Sequence, residues 1–306
     1  MRNMLTKLKE NWRNPWWWQD GLMKRVLLPL LFRKNNGIYI FNEEWDYLIV
    51  LDACRYDTFK EIASEFGLEG KLEHRISRGS CTEEFLIENF SNRKFKDTIL
   101  ITSNPHVFKH RIGKNFFKTV PVWKEGWIED VHVVSPDYVY HIALKYYYKY
   151  PNKKLIIWFL QPHTPYIGLD FLIDDNQNIK SRAKRREAKF NPFLYYYKGF
   201  SKYISYDDKE LYNSYRKNLR WVMHYVKKLV DTLSGKIVIT SDHGEAFGEK
   251  LHPLVPVKVY FHPAKTRIPV LVKVPWFVIE KDRDRKQALK SMERNRIKNV
   301  VESLKK

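Results

Sequence analysis

Six polar or flexible residues follow a short apolar run late in the chain. Residues 237–239 read Ile-Val-Ile, which is typical of a strand buried on both faces, and residues 240–245 read Thr-Ser-Asp-His-Gly-Glu. Open α/β sheets place their ligands at the carboxyl ends of such strands. Asp242 and His243 combine a carboxylate oxygen with an imidazole nitrogen, a mixture that suits zinc or manganese. An Asp-His pair alone also fits an ordinary polar turn. A metal site at Asp242 and His243 is therefore predicted only if other parts of the chain supply further ligands.

Two further apolar runs end on polar side chains in the same way. Residues 47–51 lead into Asp52, and residues 155–160 lead into Gln-Pro-His, which ends at His163. Prolines on both sides of His163 favour an extended turn over a helix. Several polar strand ends together are much harder to explain as accidents than one, so these side chains are candidates for a shared site, with His262 as a downstream addition.

A candidate nucleophile lies in the turn Ser-Arg-Gly-Ser-Cys-Thr-Glu-Glu-Phe, residues 77–85. The turn enters a predicted helix, and Thr82 falls in its first turn, where the helix dipole and a bound cation would both favour an alkoxide. Ser80 with Glu83 fits a capping box, which would give that hydroxyl a purely structural role. From these residues alone, both hydroxyls stay candidates for the nucleophile.

Composition bounds the class of protein. With 306 residues, 44% hydrophobic and 15% aromatic, the chain is long and apolar enough for one large α/β domain. A net charge of +20 predicts attraction to anions. Two cysteines are too few for a disulfide framework, and neither a membrane-spanning run nor a signal peptide is visible. We expect a cytoplasmic location, with residues 1–34 as a candidate peripheral contact with the inner face of the membrane.

The chain divides into three parts. We expect residues 1–40 to form a basic, aromatic arm, residues 41–280 the main α/β domain, and residues 281–306 a charged helix. The domain carries a basic insertion at about 170–205, which is either a lid over an anionic substrate or a solvated loop. Apolar spacing predicts a long amphipathic helix over 208–233 that leads directly into the strand at 237, as in the crossovers of parallel sheets. Residues 267–272 are predicted as the last strand.

These motifs, in this order, resemble the alkaline phosphatase superfamily, on its sulfatase-like and phosphoglycerol- or phosphoethanolamine-transferase side. The resemblance runs from about Trp45 to Trp276, roughly three-quarters of the chain. The segments that carry it are L-I-V-L-D-A-C-R-Y-D, S-R-G-S-C-T-E-E-F, I-T-S-N-P, F-L-Q-P-H-T-P-Y, I-T-S-D-H-G-E-A-F-G-E and F-H-P-A-K-T-R-I-P-V-L-V. The segment S-D-H-G-E is the most specific of them.

The resemblance implies a doubly wound, mostly parallel sheet with helices on both faces. It implies one divalent metal ion held by Asp52, Asp242 and His243, with Thr82 as the metal-bound nucleophile. Thr82 matches the Gly-x-x-Thr-acid pattern of the transferase branch, so Ser80 is the second choice. His163 and His262 would bind the oxygens of the substrate or assist the leaving group. Asp57, by contrast, is expected to be structural, capping the turn through Arg55.

The same resemblance separates the possible activities. Sulfatases of this superfamily carry Cys or Ser in a Cys/Ser-x-Pro-x-Arg motif, and Cys81 lacks both the proline and the arginine. His243 stands where calcium-binding sulfatases tend to have Asn, which favours manganese or zinc over calcium. The prediction is a metal-dependent hydrolase or transferase of phosphate esters with a covalent threonine intermediate, acting on an anionic, lipid- or glycan-linked substrate. The alternatives are a sulfuric ester hydrolase and a non-catalytic membrane- or nucleic-acid-binding relative, and nucleic acid is not expected as a partner.

Residues 1–34 generate the first testable prediction. They hold eight Lys or Arg against two acids, together with four tryptophans, a composition that favours the headgroup layer of an anionic membrane. The full chain should therefore sediment with phosphatidylglycerol vesicles but not with neutral phosphatidylcholine vesicles, and removal of residues 1–34 should abolish this binding. Undiminished binding by the shortened chain would instead mean that this stretch packs across the main domain.

Overall fold

A computed structural model describes residues 26–32, 34–128, 133–166 and 208–282 of the chain. The predicted insertion at about 170–205 lies outside the described residues. So do most of the basic arm (residues 1–40) and, beyond residue 282, the predicted C-terminal helix. The predictions for these three segments therefore stay predictions.

The described residues are built on a seven-stranded sheet with the strand order β2-β11-β8-β1-β7-β3-β4. The four neighbouring pairs from β8 to β4 are parallel, whereas β11 runs antiparallel to both β8 and β2. Two short hairpins, β5-β6 and β9-β10, lie outside this sheet. In chain order the strands are β1 Tyr47–Asp52, β2 Lys71–Ile76, β3 Phe95–Thr102, β4 Phe116–Pro121, β5 Trp127–Ile128, β6 Val133–Val134, β7 Lys154–Pro162, β8 Lys236–Thr240, β9 Ala246–His252, β10 Val255–Phe261 and β11 Lys273–Glu280.

Helices cover both faces of the sheet, as the sequence predicted. In chain order they are α1 Leu28–Leu31, α2 Tyr56–Glu65, α3 Thr82–Phe90, α4 His106–Lys109, α5 Pro136–Lys149, α6 Asp208–Thr232 and α7 Pro269–Val272, with short 3₁₀ turns at Ile40–Asn42, Ile112–Asn115 and Val122–Lys124. Buried side chains of α2, α5 and α6 contribute to one core cluster, and those of α3 and α4 contribute to another. The doubly wound, mostly parallel α/β architecture is therefore confirmed.

Strand β1 shows why continuous apolar runs form the centre of this sheet. All six of its residues are buried, and successive side chains point to opposite faces. Ile49 and Leu51 belong to the core under α2, α5 and α6, whereas Leu48 and Val50 belong to the core under α3. A strand between two cores needs an apolar residue at every position, so it shows no polar alternation.

The predicted last strand at 267–272 is wrong. Residues 269–272 form the single helical turn α7, with Pro269 in its first turn, and the strand begins only at Lys273. Proline lacks an N–H to donate to a neighbouring strand, but it is well tolerated at the start of a helix. The chain therefore turns at Pro269, and β11 is built from the following residues, which pair with both β8 and β2.

The described part of the N-terminal arm packs on the domain. Leu28 is buried in a small cluster that includes Leu251, Val259 and Leu271, whereas Val26 and Leu30 are about half exposed. Within the described ranges, no helix is both long and apolar enough to cross a membrane.

Candidate active site

The carboxyl ends of two parallel strands and the start of one helix bring four of the predicted residues together. Asp52 ends β1, Asp242 and His243 follow β8, and Thr82 is the first residue of α3. One ligand atom from each of Asp52, Asp242 and His243 lies within 4.8 Å of the others, and all three residues are fully buried. Parallel strands end at the same edge of the sheet, which is why residues 190 positions apart meet here.

The hydroxyl of Thr82 points directly at this group. Its Oγ1 donates to Asp242 Oδ2 at 2.8 Å and lies 3.1 Å from His243 Nε2. Thr82 is 7% exposed, whereas the three residues behind it have no exposed surface. Among these four residues, Thr82 is therefore the one with some exposed surface.

The ring of His243 is held in one orientation. Its Nδ1 lies 2.8 Å from the carbonyl oxygen of Gly244, and because a carbonyl can only accept, this nitrogen carries the proton. Nε2 then has a free electron pair, which faces Asp242 Oδ2 at 3.3 Å and Asp52 Oδ1 at 3.7 Å. A fixed Nδ1–H bond to a backbone carbonyl is the usual arrangement of a metal-binding histidine.

Asp52 supplies the clearest sign that the group suits a cation. Its Oδ2 accepts from Asn104 Nδ2 at 2.7 Å and from Trp158 Nε1 at 3.2 Å. Its Oδ1 is buried and has no hydrogen-bond partner within the described structure. Burial raises the pKa of Asp52, and the neighbouring carboxylate of Asp242 raises it further. Two buried carboxylates, an imidazole lone pair and an unsatisfied oxygen together fit one divalent ion.

Asp242 is fixed from several directions. Its Oδ1 accepts from the backbone N–H of Ala53 at 3.1 Å and from that of His243 at 3.0 Å. Its own carbonyl oxygen accepts from the hydroxyl of Ser77. The hydroxyl of Ser241 accepts from the backbone N–H of Cys54 at 2.8 Å and thus joins the turns after β1 and β8. The carboxylate is thereby preorganised.

The predicted His163 and His262 lie beside the buried group, together with a glutamate whose role was not predicted. The ring of His262 is 4.5 Å from that of His243 and 4.8 Å from that of His163, between centroids. His262 Nδ1 lies 3.0 Å from Glu245 Oε1. His163 Nδ1 lies 2.6 Å from the carbonyl oxygen of Thr164. In both rings the contact on Nδ1 fixes the orientation of the imidazole.

Glu245 is fully buried, and burial raises the pKa of its carboxyl group while the nearby His243 and Arg55 oppose that shift. It lies two residues after His243, and its place in the run Ser-Asp-His-Gly-Glu was the only available sign of its position. Asn104, which holds Asp52, follows β3 in the same manner as the predicted residues follow their strands. It was missed because an amide at a strand end is not by itself typical of catalysis.

Ser80 has a different environment from Thr82. Its hydroxyl contacts Glu84 Oε2 at 3.1 Å and the carbonyl oxygen of Pro263 at 2.9 Å, and it accepts from the backbone N–H of Thr266 at 3.1 Å. The predicted capping box with Glu83 is not formed, because α3 begins only at Thr82 with Cys81 as its N-cap. Ser80 instead joins the loop before α3 to the loop after β10.

The turn after β1 is held by Arg55. Its guanidinium bonds both oxygens of Asp57, at 2.9 and 2.6 Å, and it also contacts Glu249 Oε1 at 2.5 Å. Burial alone would raise the pKa of Asp57, but the bonds from Arg55 outweigh it and lower that pKa. Asp57 also accepts from the backbone N–H of Thr58 at 2.8 Å. These contacts fit the structural role expected for Asp57.

Known proteins are similar to this chain in structure but not in sequence. No protein-family profile matches the sequence, and no curated protein matches it. Among solved structures, the chain is similar to the soluble domain of lipooligosaccharide phosphoethanolamine transferase A from Neisseria meningitidis. The identity is 13%, 80% of each chain is covered, and the TM-score is 0.51. It is also similar to the integral membrane protein lipooligosaccharide phosphoethanolamine transferase A from the same organism, at 15% identity and a TM-score of 0.51, covering 80% of this chain and 50% of that one.

The fold is therefore of the alkaline phosphatase-like α/β class. Within that class, it is shared with phosphoethanolamine transferases, the branch that the sequence motifs indicated. At these identities the likeness establishes the fold, and activity has to be argued from the site. The cytoplasmic location expected from the sequence gains no support here, because one of these similar structures is an integral membrane protein.

The buried pair of carboxylates generates a prediction about stability. Asp52→Asn should stabilise the metal-free protein at pH 7 by roughly 1–3 kcal/mol, because one of two adjacent buried charges disappears. Folding raises the pKa of Asp52. The free energy of unfolding of the wild type therefore falls as pH rises from the ordinary carboxyl pKa towards the raised pKa. The difference in free energy of unfolding between Asp52→Asn and the wild type should therefore grow over that pH range. It should vanish in acid, where Asp52 of the wild type is protonated in both the folded and the unfolded state.

Thermal unfolding in a chelator measures the stability of the metal-free protein, and thermal unfolding in zinc measures how much the ion stabilises it. Zinc should raise the melting temperature of the wild type far more than that of Asp52→Asn. Asp137→Asn, at a half-exposed position on α5, is the control and should behave like the wild type in both conditions. A chelated Asp52→Asn protein that melts below the wild type at pH 7 would contradict this account of the site.

Proposed function

We propose that this protein is a metal-dependent transferase or hydrolase of phosphate esters, with Thr82 as its nucleophile. The observation that supports this proposal most directly is the position of Thr82 Oγ1, 2.8 Å from Asp242 Oδ2 and 3.1 Å from His243 Nε2. A hydroxyl that faces a carboxylate and an imidazole lone pair at a common point is suited to share a cation with them. Asp52, Thr82, Asp242 and His243 are the proposed ligands, and zinc or manganese is the proposed ion.

A bound divalent cation would lower the pKa of the Thr82 hydroxyl and offset negative charge on the transferred phosphoryl group. The protein adds two further contributions. Thr82 is the first residue of the nine-residue helix α3, whose N-terminal dipole favours negative charge on its oxygen. The bonds from Ala53 and His243 hold Asp242 in position, so the acceptor of the hydroxyl proton is oriented before the substrate arrives.

In the first proposed step, Thr82 Oγ1 attacks phosphorus and the bond from phosphorus to the leaving oxygen breaks. The hydroxyl proton passes to Asp242 Oδ2, which already accepts its hydrogen bond. The leaving oxygen takes a proton from Nε2 of His262, whose other nitrogen faces Glu245. With a phosphodiester donor, the products of this step are a phosphodiester of Thr82, which keeps the second ester group of the donor, and a neutral alcohol.

In the second proposed step, an acceptor hydroxyl or water attacks the phosphorus of this intermediate and the bond to Thr82 breaks. His262 takes the proton of the acceptor, and the proton held by Asp242 returns to Thr82. Both residues are thereby restored, and the net reaction moves one phosphoryl group from one oxygen to another. His163, beside His262, is proposed to bind a non-bridging oxygen of that group.

The substrate class is proposed from two further features. The net charge of +20 favours an anionic substrate, and the basic, aromatic residues 1–34 favour one presented at a membrane. The similar structures carry the name phosphoethanolamine transferase. We therefore propose a lipid- or glycan-linked phosphodiester as the donor. Sulfate esters are not proposed, because Cys81 lacks the proline and arginine of a sulfatase motif.

Substitution of the nucleophile tests the proposal. Thr82→Ala should lower turnover of a nitrophenyl phosphodiester in zinc or manganese by at least about 1,000-fold, because the hydroxyl that faces both Asp242 Oδ2 and His243 Nε2 is lost. Thr82→Ser should keep part of the rate, and acid-quenched wild-type protein should yield a phosphorylated peptide that contains Thr82.

The matched control is Ser80→Ala, which should melt at a lower temperature but keep its rate within about threefold. A Thr82→Ala protein as active as the wild type would exclude this mechanism, and faster turnover of a nitrophenyl sulfate would favour a sulfatase.

A second prediction concerns the proton donor. His262→Gln should lower the rate about 100-fold with an alkyl leaving group but only slightly with nitrophenol, because a good leaving group needs no proton. Glu245→Gln should show the same dependence more weakly, since it acts by orienting the ring of His262. His141→Gln, on the exposed surface of α5, should leave both rates unchanged. Equal losses with both leaving groups would assign His262 to binding rather than to proton transfer.

A further inference from the structure

A second group of metal-ligating side chains lies next to Thr82 in the sequence but uses other residues. It consists of Glu83 in the first turn of α3, His106 at the start of α4 and His110 just after α4. One ligand atom from each lies within 4.8 Å of the others, and His110 Nε2 is 2.9 Å from Glu83 Oε1. All three residues are partly exposed, so an ion could enter from solvent.

The local backbone explains why the two imidazoles share one face. The N–H of His110 donates to the carbonyl of His106 at 3.2 Å, so the residues are one helical turn apart. Their rings are nearly parallel, at 14° with centroids 6.5 Å apart. Histidines at positions i and i+4 of a helical turn are a recurrent arrangement for binding one ion.

Asn104 ties this turn to the buried carboxylates. Its side-chain oxygen accepts from the backbone N–H of His106 at 2.9 Å, while its side-chain nitrogen donates to Asp52 Oδ2 at 2.7 Å. Asn104 itself is fully buried. The start of α4 is therefore held in register with β1, and the histidines keep their position relative to Glu83 without needing an ion to gather them.

We propose that Glu83, His106 and His110 bind a divalent transition metal, with zinc preferred, at a site separate from Asp52, Asp242 and His243. Two imidazoles and one carboxylate are a common zinc ligand set, and they leave a fourth position for water or an anionic oxygen. The proposal does not depend on the chemistry proposed for Thr82. It adds a second ion to the single ion that the sequence analysis predicted.

Lys109 provides a way to distinguish a metal site from a simple ion pair. Its Nζ lies 3.6 Å from Glu83 Oε2, where it competes with any cation for that carboxylate. Lys109→Met should therefore tighten zinc binding by about threefold to tenfold. If the cluster were only a structural pair of Glu83 with its basic neighbours, this substitution would leave zinc affinity unchanged.

The decisive experiment is equilibrium dialysis of the full chain against zinc, with metal measured per chain. His106→Gln combined with His110→Gln should bind one zinc fewer than the wild type, and the same difference should appear in an Asp242→Asn background. His141→Gln is the matched control and should keep the wild-type stoichiometry. Thermal unfolding of each variant in chelator verifies that it is folded.

Each outcome decides between the alternatives. Equal zinc content in the wild type and the double histidine variant, or no tightening by Lys109→Met, would overturn the proposal. An inactive Thr82→Ala protein that still loses one zinc on substitution of His106 and His110 would support it. If Thr82→Ala kept the wild-type rate and still lost one zinc on substitution of His106 and His110, the proposed function would be rejected. The metal site at Glu83, His106 and His110 would still be supported.

Discussion

The structure depends on the burial of two carboxylates side by side. Asp52 and Asp242 have no exposed surface, and removing each charge from water costs about several kcal/mol unless bonds or a counter-charge replace the solvent. The fold supplies donors from Asn104, Trp158, Ala53 and the backbone of His243, but among the described residues Asp52 Oδ1 has no hydrogen-bond partner. An arrangement that is bonded on every side except one, where an imidazole lone pair and a hydroxyl converge, is suited to a positive charge on that side.

The central part of this arrangement could be predicted from sequence because it follows from two simple rules. Apolar runs without polar alternation form strands between two cores, and parallel strands end at a common edge. Asp52 stands directly after its run, and His163 and Asp242 stand three residues after theirs, so the strand topology brings them to the same edge of the sheet. The position of Thr82 needed the further observation that a turn enters a helix there.

Other parts could not be predicted, because they depend on contacts between distant segments. Ser80 and Thr82 are two residues apart and chemically alike, yet Ser80 bonds the loop at Pro263 and Thr266 while Thr82 faces Asp242. The pairing of Glu245 with His262 likewise appears only once β9 and β10 form a hairpin that brings position 262 back towards position 245. Local patterns indicate which residue types follow which elements, but they do not give partners across such distances.

The misplaced last strand and the glycine after His243 have one common explanation. A Cβ on Gly244 would lie 1.9 Å from the carbonyl oxygen of Val270, and the N–H of Gly244 donates to the carbonyl of Leu271 at 2.8 Å. The backbone after β8 therefore lies directly against the turn α7, closer than any side chain would allow. If residues 269–272 continued as a strand, their carbonyls would be directed to a neighbouring strand and this contact would be lost. The turn at Pro269 thus positions the backbone of Gly244, whose carbonyl oxygen accepts from Nδ1 of His243 and orients Nε2 towards the two carboxylates.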